Sequence, residues 1–406
     1  MIGTIALRNL LRNRRRSLLT LSAIGFGLGA LIFLCSFVEG AERQMAQNIK
    51  TLLTGDLQIA APGLEEVYNT NSFIEEPETI RKRLKEDRRI LSFSERIVRG
   101  GLVTFGDRSI GTFLIGIDPE SEKRVGTSRP VVVGRGLLSG DHQGILIGEK
   151  LREILRLNVG EPVILTSQDY YGSLGGARVT VIGSFRTGND VVDSGTVYLL
   201  KETAQQMLSL EGQISEFVLK LKPGVDPAAM KRDLGKQIPS DIARVLSWED
   251  LIPLLAQMHR FQEGMMMVVL AIVVLVVAAG ILNTLMMSFI ERIREFGLIA
   301  ALGARSLTIG AVVVAESALL TSFGLLGGFL IGWGMTLFWG YQGLDLSRFV
   351  STLSNLFIGT RLYPQMDWSS LVVFAVTFFL ASLVASLLPA WRAGSLCPVE
   401  AMRQTG

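Results

Sequence analysis

Histidine and cysteine are scarce in this sequence, and neither is spaced to build a metal or disulfide site. The 406 residues contain two histidines and two cysteines. His142 and His259 stand far apart, Cys35 lies within an apolar run, and Cys397 lies near the end of the chain. A metal site needs several such ligands close together, and a disulfide framework needs spaced pairs of cysteines. We therefore predict neither a bound metal nor a disulfide.

The motifs of common enzymes are also missing. The sequence has no HExxH, CxxC or GxSxG motif, and it has no GxxxxGK[ST] loop to bind the phosphates of a nucleotide. The net charge of +3 is too small to indicate a nucleic-acid partner. We predict no catalytic residues and no cofactor bound by this chain, and no catalytic constellation supports a membrane enzyme.

Long apolar runs, by contrast, are plentiful. Apolar residues make up 49% of the chain, and runs with few charges fill residues 17–39, 261–289, 307–339 and 369–389. Each run has the roughly 20 residues that an α-helix needs to cross a bilayer. The first follows a basic N-terminus (1–16), as a cleaved signal peptide would, but it is longer than a signal core and no convincing cleavage site follows it. We predict four transmembrane helices, with the first retained in the protein.

Residues 40–260 lack such runs and alternate between short β-rich and helical stretches. The sequence predicts a hairpin of 96–105 with 109–117, further strands at 144–148, 162–166, 178–184 and 196–199, and helices at 77–87, 149–155, 201–208 and 227–234. Residues 248–260 continue a helical pattern into the second span, which predicts one unbroken stalk helix. The fold class is an α-helical membrane domain of four transmembrane helices with a large α+β extracytoplasmic domain inserted between helices 1 and 2.

Arginines predict the orientation. They concentrate in the N-terminus, in the segment 290–306 and in the tail 390–406, whereas the short loop 340–368 holds only two. Because short cytoplasmic loops carry the excess of Lys and Arg, both termini and the segment 290–306 are expected in the cytoplasm. The chain is then a multi-pass membrane protein in contact with lipid, with the α+β domain on the opposite side from the cytoplasm.

The segment 290–306, the coupling segment, joins two spans. Arg292 and Glu295 have the i, i+3 spacing of a helical ion pair. The residues after them are apolar on every face and are bounded by glycines, namely Phe296, Gly297, Leu298, Leu302 and Gly303. A short helix without a polar face must be covered on all sides, and its own spans can cover only one. We predict a docked cytoplasmic partner; the alternative is a helix that lies on the lipid surface.

Small and acidic residues mark the spans. Gly25 and Gly29 lie four residues apart and predict a face that another helix can approach closely. Gly324, Gly328 and Gly332 predict a second such face, for helix contacts within one chain or between two, with a cargo path as the alternative. The glycines from Gly25 onward resemble a dinucleotide fingerprint, but a membrane helix supplies no βαβ unit. Glu316 lies within the third span, where a carboxylate is costly and marks either a functional site or a hydrogen bond to a neighbouring helix.

One loop of the α+β region carries an aromatic pair. Residues 167–177 are rich in glycine and include Tyr170 and Tyr171. Exposed aromatic side chains on such a loop would contact a periplasmic partner or an apolar cargo. The alternative is an ordinary hairpin loop whose tyrosines pack back on the sheet.

Three stretches carry a family resemblance in the family's order. ERIREFG (291–297) followed by ALGA (301–304) resembles the coupling helix of the ABC transporter permeases that include the macrolide exporter, the lipoprotein-release permeases and the cell-division permease. PAWRAGSLCPVEAMR (389–403) resembles the terminal signature of that family. The stretch from 146 to 183, with LIG, LNVG and VIG, is also similar.

The resemblance implies a mechanism. Such permeases work as dimers with a second copy or a paralogue, and an ATPase dimer, which binds ATP and Mg²⁺, docks on the two coupling helices and drives the periplasmic domains. The entry LCSFVEGAERQM (34–45) is similar to the lipoprotein-release permeases, which implies release or export of lipoproteins or other hydrophobic cargo, with a periplasmic chaperone or effector as a further partner. The alternative is a signalling permease that moves no cargo and switches a periplasmic cell-wall hydrolase or sensor.

Overall fold

The computed structural model describes residues 3, 4, 6, 8, 12, 14–64, 72–127, 129–349 and 357–395, which form two compact units. The first, here the membrane unit, comprises Met1–Glu42, His259–Asp345 and Arg361–Gly406. The second, here the β unit, comprises Arg43–Met258 and Leu346–Thr360. Most of the terminal signature, 396–403, lies outside the described residues.

The helices of the described residues differ widely in length. In chain order they are α1 (Arg14–Ile49), α2 (Pro77–Glu86), α3 (Pro119–Val125), α4 (Glu149–Leu155), α5 (Asp190–Gly195), α6 (Lys201–Met207), α7 (Pro227–Gln237), α8 (Trp248–Leu251), α9 (Pro253–Glu291), α10 (Ile293–Ala301), α11 (Ser306–Gln342) and α12 (Trp368–Gly394). Within the described part of the chain, α1, α9, α11 and α12 are long and apolar enough to cross a membrane.

The strands of the β unit form one sheet. They are β1 (Leu57–Ala60), β2 (Ile90–Phe105), β3 (Arg108–Ile117), β4 (Val131–Gly134), β5 (Gly144–Gly148), β6 (Pro162–Gln168), β7 (Leu174–Phe185), β8 (Thr196–Leu200), β9 (Glu216–Leu221) and β10 (Arg244–Leu246). Their order is β10-β1-β9-β2-β3-β8-β5-β7-β4, with β6 paired to β2 and β7. Most pairs are antiparallel, whereas β3 with β8 and β5 with β7 are parallel. In the membrane unit, β11 (Leu344–Asp345) pairs with β12 (Arg361–Leu362).

The long strand β2 serves two hydrophobic cores. Its first half pairs with β9, and its second half pairs with β3 and β6. One core lies around β1 and β9 and is closed by α2 and α7, with Ile59, Phe217, Leu84 and Leu234 among its buried side chains. The other lies around β5 to β8 and is closed by α4 and α6, with Ile147, Val181, Leu151 and Ala204 among its buried side chains. The β unit therefore has two lobes that share one strand.

The strands and helices predicted from the sequence agree best with the structure where a turn marks the end of a strand. The predicted hairpin is present, with its turn at Gly106 and Asp107, and the predicted strand at 144–148 and helix at 149–155 have the same bounds. Strands β1, β4, β9 and β10 of the β unit are absent from the prediction. In β1 all four residues are buried, and in β9 five of six are, so neither shows the alternation that identifies a half-exposed strand.

The prediction of one unbroken helix from residue 248 into the second span is wrong. Helix α8 ends at Leu251, and Ile252 has φ −127° and ψ 68°, outside the helical region. Pro253 causes the break, because a proline ring disfavours the helical conformation of the residue before it. Proline is well tolerated in the first turn of a helix, and α9 begins there. From Pro253 the helix runs without interruption to Glu291.

Glycines bring α1 and α11 together in the membrane unit. A Cβ built on Gly328 would lie 2.8 Å from the carbonyl oxygen of Gly25, and one on Gly332 would lie 2.9 Å from that of Gly29. A Cβ on Gly324 would lie 2.6 Å from the side chain of Ile24. Only glycine permits backbones to approach this closely. Both predicted glycine faces thus lie against each other within one chain.

Hydroxyl groups join α11 to α12. Ser382 Oγ lies 2.5 Å from Thr321 Oγ1 and 3.1 Å from Ser317 Oγ. All three side chains are buried. Hydrogen bonds of this kind between apolar helices satisfy polar groups that lipid cannot.

Candidate functional site: the coupling helix

Helix α10 lies within the predicted coupling segment and is bounded by two backbone irregularities. Arg292, with φ −114° and ψ 15°, separates it from α9. After Ala301 the chain turns at Gly303, whose φ of +91° is one that side-chain-bearing residues rarely adopt. The sequence thus folds here into a separate helix rather than a continuation of either span. We call α10 the coupling helix.

One side of the coupling helix packs on its own membrane unit. Phe296 is 3% exposed, and its ring stacks on Phe289 with centroids 6.1 Å apart. The same cluster includes buried side chains of α11 and α12, namely Ile309, Val313, Ala390 and Ala393. Gly297 is also buried. This side is therefore closed to a partner.

A network of ion pairs lies at the start of the coupling helix. Arg292 is 6% exposed; its Nε donates to Glu295 Oε2 at 3.0 Å and its Nη1 donates to Glu316 Oε2 at 3.3 Å. Its guanidinium also lies 4.8 Å from the centroid of the Phe296 ring. Arg12 Nη2 donates to Glu295 Oε1 at 2.7 Å. Partial burial raises the pKa of Glu295, but the hydrogen bonds from Arg292 and Arg12 outweigh it and hold that pKa below its ordinary value.

The other side of the coupling helix presents apolar side chains to the outside. Leu298 is 56% exposed, Ile299 43% and Leu302 82%, and Leu307 at the start of α11 is 86% exposed. The exposed apolar face is defined here as these four residues. Apolar groups rimmed by polar ones at a helix surface mark a protein or membrane contact. The structure thus divides the predicted site residues: Leu298 and Leu302 are exposed, whereas Arg292 and Phe296 lie inside, and Glu295 is about half exposed.

The aromatic pair of the β unit is exposed at both residues, although Tyr170, at 39%, is less so than Tyr171. Tyr170 packs on Phe73 with ring centroids 6.0 Å apart, and its hydroxyl donates to Glu75 Oε1 at 3.0 Å. The ring of Tyr171 contacts that of Tyr170 edge to face. Tyr171 is 72% exposed, and Leu174 is 82% exposed. The predicted loop 167–177 is shorter than expected, because strands β6 and β7 leave only residues 169–173 between them. Tyr171 and Leu174 form an exposed hairpin tip.

Sequence reasoning missed the contacts that connect the site. Arg292 and Glu316 are 24 positions apart, on two helices, and the sequence offers no spacing rule that pairs them. Arg12 was one of many basic residues of the N-terminus. Among the described residues, no group of three or more His, Cys, Asp or Glu side chains is placed to hold a metal ion.

Comparison with known proteins places the chain in a family. The profile of the MacB-like periplasmic core domain matches residues 17–237, more than half of the chain, and the profile of the FtsX-like permease C-terminal region matches residues 267–398. The chain therefore belongs to the MacB and FtsX family of ABC transporter permeases. With its four apolar helices it is a multi-pass protein of the bacterial inner membrane, and the β unit corresponds to the periplasmic core domain.

Three relatives are similar along nearly the whole chain. LolC, a transmembrane protein of the lipoprotein-releasing system of Neisseria meningitidis serogroup B, is 24% identical over 424 residues, which cover 99% of this chain and 98% of LolC. An uncharacterised ABC transporter permease of Methanocaldococcus jannaschii is 23% identical, covering 99% of this chain and 97% of the relative. The macrolide export ATP-binding/permease protein MacB of Escherichia coli is 23% identical, covering 97% of this chain and 59% of MacB.

Proposed function

We propose that this permease transmits the work of a separate cytoplasmic ATPase dimer to its periplasmic domain. The observation that carries the proposal is the exposed apolar face of the coupling helix. Leu298 and Leu302 lie one turn apart on a helix whose opposite side is already buried. Covering each side chain would contribute about 1.5–3 kcal/mol to an interface. The 406 residues contain no phosphate-binding loop, so the ATP and Mg²⁺ that drive the cycle bind to the partner.

The orientation and assembly belong to the same proposal. Both termini and the coupling helix are assigned to the cytoplasm, because arginines concentrate there. The periplasmic domain then lies between spans 1 and 2 and the short loop 340–368 between spans 3 and 4. A second copy or a paralogue completes the permease. Helix α9 has 39 residues, about 58 Å at 1.5 Å per residue, so it is much longer than a bilayer core and can move as one rigid rod.

The coupling helix is tested with two substitutions on its exposed face. We expect Leu298→Asp/Leu302→Asp to abolish co-purification of the ATPase, because charged groups cannot be buried unpaired in an apolar contact. The control is Leu138→Asp, the same change at an exposed leucine of the β unit. Size-exclusion profiles of both variants in detergent should match the wild type. Retention of the ATPase at wild-type yield by the double variant would contradict the docking role.

For cargo, we propose lipoproteins or other hydrophobic molecules released or exported from the outer leaflet of the inner membrane. The full-length similarity to a protein of a lipoprotein-releasing system favours this class. The hairpin tip adds an exposed Tyr171 and Leu174 on the periplasmic domain. Their neighbour Tyr170 contacts Phe73 and donates to Glu75, which restricts the motion of the tip. A partner that binds there would lose less free energy to ordering the loop.

The cargo class is tested by what the purified complex retains. We expect acylated proteins to co-purify with the permease trapped by an ATPase that binds but cannot hydrolyse ATP, and to decrease with Tyr171→Ser/Leu174→Ser. Mass spectrometry of the bound material identifies them. A cell-wall hydrolase as the sole specific periplasmic partner, with no lipid-modified protein, would favour the signalling permease instead.

A further inference from the structure

Arg292 occupies the joint between the second span and the coupling helix, and it contacts acidic groups on two elements. One nitrogen donates to Glu295 on the coupling helix and another donates to Glu316 on α11. The side chains of Arg292 and Glu316 are each 7% exposed. The ring of Phe296, which belongs to the apolar cluster, packs against the guanidinium group of Arg292. An arginine with its planar fork suits such a bridge, whereas a lysine offers a single point charge.

Local helix stability does not explain this arginine. Arg292 is the residue that caps the N-terminus of the coupling helix, where the helix dipole disfavours a positive charge. Burial of a charge is also costly unless a partner compensates it. Both costs are offset by Glu316, which comes from a different helix and would itself be costly inside the third span. The pair therefore serves the contact between the two helices.

We propose that Arg292 is a positioning residue that holds the coupling helix against the third span. The backbone bends at Arg292, so this ion pair and the packing of Phe296 are what hold the coupling helix against the spans. With the bridge closed, a displacement of the coupling helix moves Glu316 and therefore α11. This inference rests on the proposed function, because the docked ATPase is what displaces the coupling helix.

The contacts beyond Glu316 extend the same path. Ser317, the next residue, and Thr321, one turn further, contact Ser382 on α12. The glycine face of α11 lies against α1. The first, third and fourth spans are thus joined by contacts that leave little freedom between them, and Arg292 connects the coupling helix to that group of spans.

The test measures whether the coupling helix stays seated in the permease alone. Ala393 is fully buried beneath the coupling helix, in the cluster that contains Phe296. In full-length protein with Cys35 and Cys397 replaced by alanine, Ala393→Cys is labelled with a water-soluble maleimide in nanodiscs. We expect Arg292→Gln and Glu316→Gln each to accelerate labelling by at least about tenfold, because the first leaves the buried Glu316 without the guanidinium and the second removes the ion pair between Arg292 and α11. A second reporter, Ser36→Cys on α1, is buried and its hydroxyl donates to the carbonyl of Ile32 in its own helix, so it should keep its wild-type rate and exclude general unfolding.

Two further variants separate positioning from simple charge neutralisation. Glu295→Gln removes the exposed partner of the same arginine and should change labelling by only about twofold. Arg292→Ala/Glu316→Ala removes both charges and also the long side chains that connect the two helices. If the arginine merely neutralised Glu316, this double variant would regain wild-type protection; if it holds the helix, labelling stays fast.

The outcomes decide the inference independently of the ATPase. Slow, wild-type-like labelling of Ala393→Cys in either single variant, or restored protection in the double alanine variant, would overturn it. Failure of the Leu298→Asp/Leu302→Asp experiment would remove the proposed partner but leave these rates unchanged.

Discussion

At the scale of single residues, the β unit contains a buried cluster of charges. Glu122 accepts from Arg96 Nε at 2.7 Å and Nη2 at 2.8 Å, and from Arg129 Nη2 at 2.8 Å. Glu216 lies 3.4 Å from Arg96 Nη1. Burial raises the pKa of Glu122, but the two arginines outweigh burial and hold that pKa far below its ordinary range. Burial is the largest influence on Glu216 and raises its pKa.

These opposite shifts predict different effects of the same substitution. Glu122→Gln should destabilise the protein by about 3–5 kcal/mol, because it leaves a buried arginine without its main partner. Glu216→Gln is the matched control and should cost much less, because the native carboxylate is itself disfavoured by burial. Pulse proteolysis in urea, scored on cleavage between residues 43 and 258 of the full-length protein, measures both. Equal losses for the two variants would contradict this account.

The pKa shifts of these two carboxyl groups also predict how the stability of the β unit changes with pH. A carboxyl group with a lowered folded pKa contributes stability that is present above its unfolded pKa and is lost as pH falls through the folded value. For Glu122 that loss begins as pH falls below the unfolded pKa of a glutamate and is complete only in strong acid. Glu216, with a raised pKa, acts in the opposite sense, and its contribution is lost as pH rises through its folded pKa. Within this cluster the wild type should therefore resist mild acid.

At the scale of elements, the seam between α1 and α11 depends on the absence of side chains. We expect Gly328→Val to destabilise the membrane unit by about 1–3 kcal/mol, because the new methyl groups would overlap the Gly25 carbonyl and Leu28. Gly327→Val is the matched control, since nothing lies within 4 Å of a Cβ at that position. Thermal unfolding in detergent, followed by size-exclusion chromatography, compares them. A wild-type melting temperature for Gly328→Val would show that the helices are not closely apposed.

The elements also show what sequence patterns can and cannot predict. The four-residue spacing of Gly324, Gly328 and Gly332 predicts a packing face, but the partner helix depends on three-dimensional arrangement. The apolar composition of the coupling helix predicts burial, and the structure divides it into a buried Phe296 and an exposed Leu302. Which face is covered depends on α11 and α12, which lie later in the chain. Buried strands such as β9 escape prediction because they lack alternation.

At the scale of the whole molecule, the proposed function depends on which side of the membrane holds each unit. The coupling helix must face the ATPase in the cytoplasm, and the hairpin tip must face the periplasm. Tyr171 and Leu298 are both well exposed, so a cysteine at either position is open to reagent from its own side. Each belongs to a different unit.

Labelling of intact cells therefore tests the topology directly. In a background without Cys35 and Cys397, a maleimide that passes the outer membrane but not the inner one should modify Tyr171→Cys. It should leave Leu298→Cys unmodified until the inner membrane is opened, because the positive-inside distribution of arginines predicts that this segment lies in the cytoplasm. Both variants should label equally after solubilisation, which controls for intrinsic reactivity. The reverse pattern would place the coupling helix in the periplasm, where no ATP-driven partner can reach it, and the transmission proposed for this permease would fail with it.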